Sequence, residues 1–203
     1  CIGCHDSHTL EVKMDDCVEC HTDVVEVEDL KNVRMAGSLK DYDGDGDVEE
    51  GIYYELEGLQ ELLVQAMQAY GNEVSGAPIG YNSQAYPYFF IDTNDDGEIT
   101  EDEADRYTAW TPRLLRAAYN YQMSVKDPGA YAHGGKYIIQ LLNDSIAELN
   151  SVIAEPVDIS AASRIDSGHF AGSEEAFRHW DEDGAVPGSC AKCHAAEGLS
   201  MFL

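Results

Sequence analysis

Apolar residues return at three- and four-residue steps over Ile52, Leu56, Leu59, Leu63, Ala66 and Tyr70. That spacing puts them on one face of a helix. A second helical pattern covers residues 101–124, with Tyr107, Trp110, Leu114, Ala117 and Tyr121 on one side and Pro112 as an expected kink. A third follows Pro128 and Gly129, where Tyr137, Ile138, Leu141, Leu142, Ile146, Leu149 and Ile153 supply the apolar face. Between the first two, residues 71–88 hold Gly71, Gly76, Pro78, Gly80 and Pro87 and read as a loop. No stretch sustains the period-two alternation of a strand, so the expected fold class is mainly α with extensive coil. Residues 1–23 read as an N-terminal segment, 24–125 as a mostly helical region, and 126–203 as a helix with a loop-rich tail, all parts of one compact unit.

Charge narrows the choice of partner. Twelve basic residues stand against 39 acidic ones in 203, a formal charge of -27. Nucleic acid is excluded as a partner, because neutralising phosphates needs clustered Lys and Arg. Cations, basic proteins or plain solvation remain. No run of 18 apolar residues exists, so no membrane span is expected. The sequence opens on Cys1, and the expectation is that an export signal precedes it in the gene product. Lipidation of the Cys1 sulfur is the alternative, and it is incompatible with the chemistry that follows.

All six cysteines fall in three copies of one motif: Cys1-Ile2-Gly3-Cys4-His5, Cys17-Val18-Glu19-Cys20-His21 and Cys190-Ala191-Lys192-Cys193-His194. C-x-x-C-H is the attachment signature of c-type haem. Its thiols bond the porphyrin, and its histidine is the proximal iron ligand. This composition gives roughly 0.006 chance matches to the motif, against the three present. Disulfides would not require His after each pair. A zinc site could use Cys1, Cys4, Cys17 and Cys20 but leaves the third pair and every histidine unexplained. Three covalent haems are therefore expected, with the first two forced to be neighbours.

Three haems with two axial histidines each need three further ligands. His8, His133, His169 and His179 are the candidates, one more than required. His8 lies too near His5 to reach comfortably over the same haem and suits a neighbouring one. His133 stands at the start of the third helix, His169 in a loop and His179 in a short amphipathic turn. Met35, Met67 and Met123 read as packing residues.

Two acidic loops carry a second chemistry. Residues 92–103 follow the EF-hand calcium-loop spacing throughout: Asp92, Asn94 and Asp96 at positions 1, 3 and 5, Gly97 at 6, the Glu98 carbonyl at 7, Thr100 at 9 and Glu103 at 12. Residues 41–49 match the first half through Asp41, Asp43, Asp45 and Asp47. Position 12 of that loop is Ile52, so Glu49 or Glu50 is expected to close it. One or two structural Ca²⁺ ions follow, with an acidic surface turn as the alternative.

On these motifs, the His133-Gly134-Gly135-Lys136-Tyr137 stretch and the run from His169 through Arg178-His179-Trp180 to His194, the chain resembles the exported multihaem c-type cytochromes of metal-respiring and related anaerobic bacteria. The resemblance implies extracellular or periplasmic electron transfer through closely spaced bis-histidine haems, with redox proteins or extracellular acceptors as partners. It also implies that subunits can polymerise into a conductive filament, a histidine of one ligating a haem of the next. The surplus histidine suits that arrangement, while the -27 charge opposes it. A multihaem redox enzyme with an open iron position is the alternative. It is disfavoured because there are histidines enough to close every iron. Paired axial histidines and acidic surroundings are expected to favour oxidised iron and hence a low potential.

Overall fold

The computed structural model describes residues 3–18, 21–34 and 40–164. Three helices share the core: α1 (Ile52–Tyr70), α2 (Pro112–Lys126) and α3 (Gly135–Asn150). α1 buries Leu56, Leu59, Leu63, Ala66, Met67 and Tyr70, the face its periodicity predicts, with Met67 added. α3 contributes Ile138, Ile139, Leu142, Ile146 and Leu149. Leu59, Leu63, Leu114, Leu142, Ile146 and Leu149 have no exposed surface. Each such side chain contributes about 1.5–3 kcal/mol by leaving water. Tyr137, expected on this face, is 66% exposed.

The second helix is shorter than its pattern predicts. It begins at Pro112, where a missing N–H costs nothing because the first turn has no partner for it. The Thr111 hydroxyl caps it by accepting the Leu114 N–H at 3.2 Å. Pro112 therefore starts a helix and does not kink one. Tyr107 and Trp110 precede the helix in extended chain. The Tyr107 N–H donates to the Phe89 carbonyl at 3.1 Å and the Ile91 N–H to the Asp105 carbonyl at 2.8 Å.

These bonds flank a small sheet that the pattern did not predict. Strand β1 (Ile79–Tyr81) pairs antiparallel with β2 (Phe89–Ile91) in the register Ile79↔Ile91, Gly80↔Phe90 and Tyr81↔Phe89. Three residues per strand are too few to display alternation. Residues 24–125 are thus less helical than expected: Val27–Asn32 forms a 3₁₀ turn, and residues 76–111 are strand and coil. Beyond α3, Asn150 fastens the outgoing chain, bonding Val157 N–H at 3.0 Å and its carbonyl at 2.8 Å. Arg164 then grips Asp144 through two bonds of 2.6 and 2.8 Å. Among the described residues no helix is long and apolar enough to cross a membrane.

Candidate functional site

The first C-x-x-C-H motif enters a tight hairpin. Lys13 N–H donates to the Cys4 carbonyl at 2.7 Å, His5 bridges Val12, and Asp6 N–H donates to the Glu11 carbonyl at 2.9 Å. The turn is held by Asp6, whose carboxylate accepts the N–H groups of His8 and Thr9, both at 2.9 Å. Those bonds keep the Asp6 carboxyl below its ordinary value, the Thr9 N–H first. The hairpin brings the Leu10 carbonyl to 2.8 Å from His5 Nδ1. A carbonyl only accepts, so Nδ1 carries the proton and Nε2 keeps its lone pair. A metal-binding histidine is commonly oriented in this way, with its outer N–H fixed by a carbonyl. The His5 environment therefore fits a haem iron.

Of the second motif, Cys17 lies on the helical turn Asp15–Val18, and the His21 N–H donates back to the Cys17 carbonyl at 2.9 Å. One helical turn thus separates the thiol from the imidazole, and both are half-buried. His8 is exposed in the Asp6-held turn. His133 ends a short turn, Ala130–His133, set off from α3 by Gly134, so it precedes the helix. Its ring lies against His5, with centres 5.8 Å apart and planes tilted by 54°. Cys1, Cys20, Cys190, Cys193, His194, His169 and His179 lie outside the described residues.

Both acidic loops adopt one hydrogen-bond pattern. In the second, Asp92 accepts the N–H groups of Asp95 and Gly97, each at 2.7 Å. Asn94 accepts Asp96 N–H at 3.0 Å and Asp96 accepts Glu98 N–H at 2.9 Å. In the first, Asp41 accepts Gly44 N–H and, at 2.8 Å, Gly46 N–H; Asp43 accepts Asp45 N–H at 3.1 Å, and Asp45 accepts Asp47 N–H at 2.7 Å. The sixth residue of each loop sits in left-handed backbone, Gly46 at φ 98° and Gly97 at φ 88°, where a side chain would be strained. The second loop leaves β2 and returns to residues 105–107, which pair with that strand, so helices do not flank it.

In each loop one carboxylate oxygen accepts the N–H groups of the second and third loop residues, from Glu103 in one loop and Glu55 in the other. Glu103, 4% exposed, accepts Thr93 N–H at 2.8 Å and Asn94 N–H at 3.4 Å through one oxygen. Its other oxygen takes the Thr100 N–H at 3.0 Å. The Thr100 N–H, with the Thr93 and Thr100 bonds behind it, holds the Glu103 carboxyl down at about 2. In the first loop, Glu55 on α1 accepts the equivalent pair, Tyr42 N–H at 2.7 Å and Asp43 N–H at 3.1 Å. Glu55 is fully buried, and its second oxygen pairs with Arg34. Sequence reasoning passed over it. The available signal was a carboxylate set beside Leu56 on the apolar face of a helix, which demands partners. Glu49 and Asp47 are exposed, linked by an N–H bond of 2.8 Å.

Carboxylate oxygens of Asp41, Asp43 and Glu55 lie within 4.8 Å of one another, as do those of Asp43, Asp45 and Glu50. Such crowding resists ionisation. Burial, then the charges of Asp45, Glu55 and Asp41, raises Asp43 to about 6. Burial, then Glu55, Asp43, Asp45 and Asp47, raises Glu50 to about 7. Gly58 lets the loop dock on α1, because a Cβ there would overlap the Asp43 carboxylate.

No family model matches the chain, and no solved structure does. The chain is similar to the C-type polyheme cytochrome OmcB of Geobacter sulfurreducens, 31% identical over 127 residues that cover 53% of this chain and 17% of that protein. It is also similar to the C-type polyheme cytochrome OmcC of the same organism, 32% identical over 127 residues that cover 53% of this chain and 16% of that protein. The chain thus spans about a sixth of the length of these curated relatives. This partial similarity supports reading the chain as multihaem c-type cytochrome sequence.

Proposed function

We propose that this chain transfers electrons outside the cytoplasm through three covalent c-type haems, with calcium fastening its acidic loops. The observation that carries the reading is the threefold C-x-x-C-H motif, supported at His5 by the Leu10 carbonyl that reserves Nε2 for iron. Haem, once bound, supplies one-electron chemistry at iron. The residues of the chain do the rest. Cys1, Cys4, Cys17, Cys20, Cys190 and Cys193 would hold the porphyrins, and His5, His21 and His194 would bind their irons. His8, His133, His169 and His179 would supply the remaining iron ligands, a set that would suit electron transfer over catalysis. Acidic side chains around the sites stabilise the more positive, oxidised metal.

Calcium belongs to the same proposal. Asp92, Asn94, Asp96, the Glu98 carbonyl, Thr100 and Glu103 would hold one ion, with oxygen ligands of the type this cation selects. Asp41, Asp43 and Asp45 with Glu55 would hold the other. Neutralising these loops lets carboxylates that crowd one another ionise together. A location outside the cytoplasm, where calcium is abundant, suits such sites. Redox proteins or extracellular acceptors are the partners this chemistry requires.

Coulometric titration of the purified chain tests the function. The expected result is reversible uptake of three electrons per chain by haem that binds no CO when reduced. Fewer than three, or an iron that binds nitrite or CO in the native chain, would overturn it in favour of an open-site redox enzyme or a different cofactor.

A further inference from the structure

We propose, resting on the haem-attachment reading above, that His133 is the distal axial ligand of the haem carried by Cys1, Cys4 and His5. Two imidazoles bound on opposite sides of one metal, at metal–nitrogen bonds of ~2 Å, have ring centres about 6 Å apart. His5 and His133 stand 5.8 Å apart. The Leu10 carbonyl occupies His5 Nδ1, so Nε2 is the nitrogen left for iron.

The chain also sets the orientation of His133. Its backbone N–H donates to the Gly129 carbonyl at 2.8 Å, which closes the turn, and the imidazole lies over that glycine. A Cβ at 129 would fall 2.5 Å from His133 Nδ1 and 2.9 Å from Cε1. The Nδ1 edge is therefore the one packed on backbone, and Nε2 lies on the edge turned away from it. His8 lies only three residues past His5, its backbone N–H is held by Asp6 and its side chain is exposed, which suits a neighbouring haem better than this one. The assignment gives the haem a structural task. It would join the N-terminal hairpin to the turn leading into α3, two segments far apart in sequence.

The test uses the haem-loaded chain, its H133A, H8A and G129A variants, intact mass to count haems, and EPR with CO binding to count open irons. In H133A, one of three haems is expected to become high-spin and to bind CO while the count stays at three. Added imidazole should return it to low spin. G129A, which displaces the ring without deleting it, should produce the same conversion in part, and H8A should leave the first haem unchanged. H133A and G129A chains that keep three low-spin, CO-inert haems would overturn the assignment and leave the cytochrome reading intact. So would conversion of the first haem in H8A. A native chain with no covalent haem would remove both.

Discussion

Glu55 tests whether the first acidic loop is built as described. It has no exposed surface, and its partner Arg34 has a side chain only 6% exposed. Glu55→Gln keeps the shape and removes the charge. It leaves the Arg34 guanidinium buried without its carboxylate and weakens the acceptor for Tyr42 and Asp43 N–H. Removing one member of a buried pair costs about 3–5 kcal/mol. For a chain of this size each kcal/mol lowers Tm by about 2–4 °C, so the variant should melt roughly 6–20 °C lower. Glu49→Ala, at an exposed position, should change stability by less than about 0.5 kcal/mol. Calorimetry in chelator gives the stability arm, and calcium titration gives the second readout. Glu55→Gln should take up one ion fewer than the native chain. A loss below about 1 kcal/mol with unchanged calcium stoichiometry would refute the assignment of Glu55 as the closing carboxylate.

Three further outcomes follow from the same physics. Asp43 and Glu50 have folded-state values raised to about 6 and about 7, so the native state holds their protons more tightly than the unfolded chain does. Their contribution is complete at acidic pH and is lost as pH rises through those values, so in chelator Tm should fall between pH 5 and 8. Calcium should abolish that fall, and a flat chelator profile would argue against the crowded cluster. Leu63→Ala, at a fully buried site, should cost about 2–5 kcal/mol by chemical denaturation; a cost near zero would contradict the three-helix core. Potentiometric titration should place the midpoints below zero against the hydrogen electrode, and values well above it would count against paired histidine ligands in acidic surroundings.

Where a local rule sets the structure, the sequence was readable. α1 and α3 follow from apolar spacing, and the acidic loops follow from Asp and Asn side chains that bond the backbone two to five residues onward. The start of α2 departs from the apolar pattern because Tyr107 and Trp110 fall at helical steps from Leu114 without being helical. They reach the core from extended chain instead, and Thr111-Pro112 was the start signal that should have outweighed them. The sheet was hidden by the brevity of its strands. Glu55 and the His5–His133 contact were not legible for a different reason. Each depends on a partner distant in sequence, Arg34 with the 41–43 loop in one case and the N-terminal hairpin in the other.

The central claim is a covalent one, that thioether bonds join each cysteine pair to a porphyrin. Intact mass of the chain, denatured and extracted with acidified organic solvent, tests it most directly. The account predicts a mass exceeding that of the polypeptide by three haems, with the porphyrin absorbance remaining on the protein. A bare polypeptide mass, with all colour in the solvent, would contradict it.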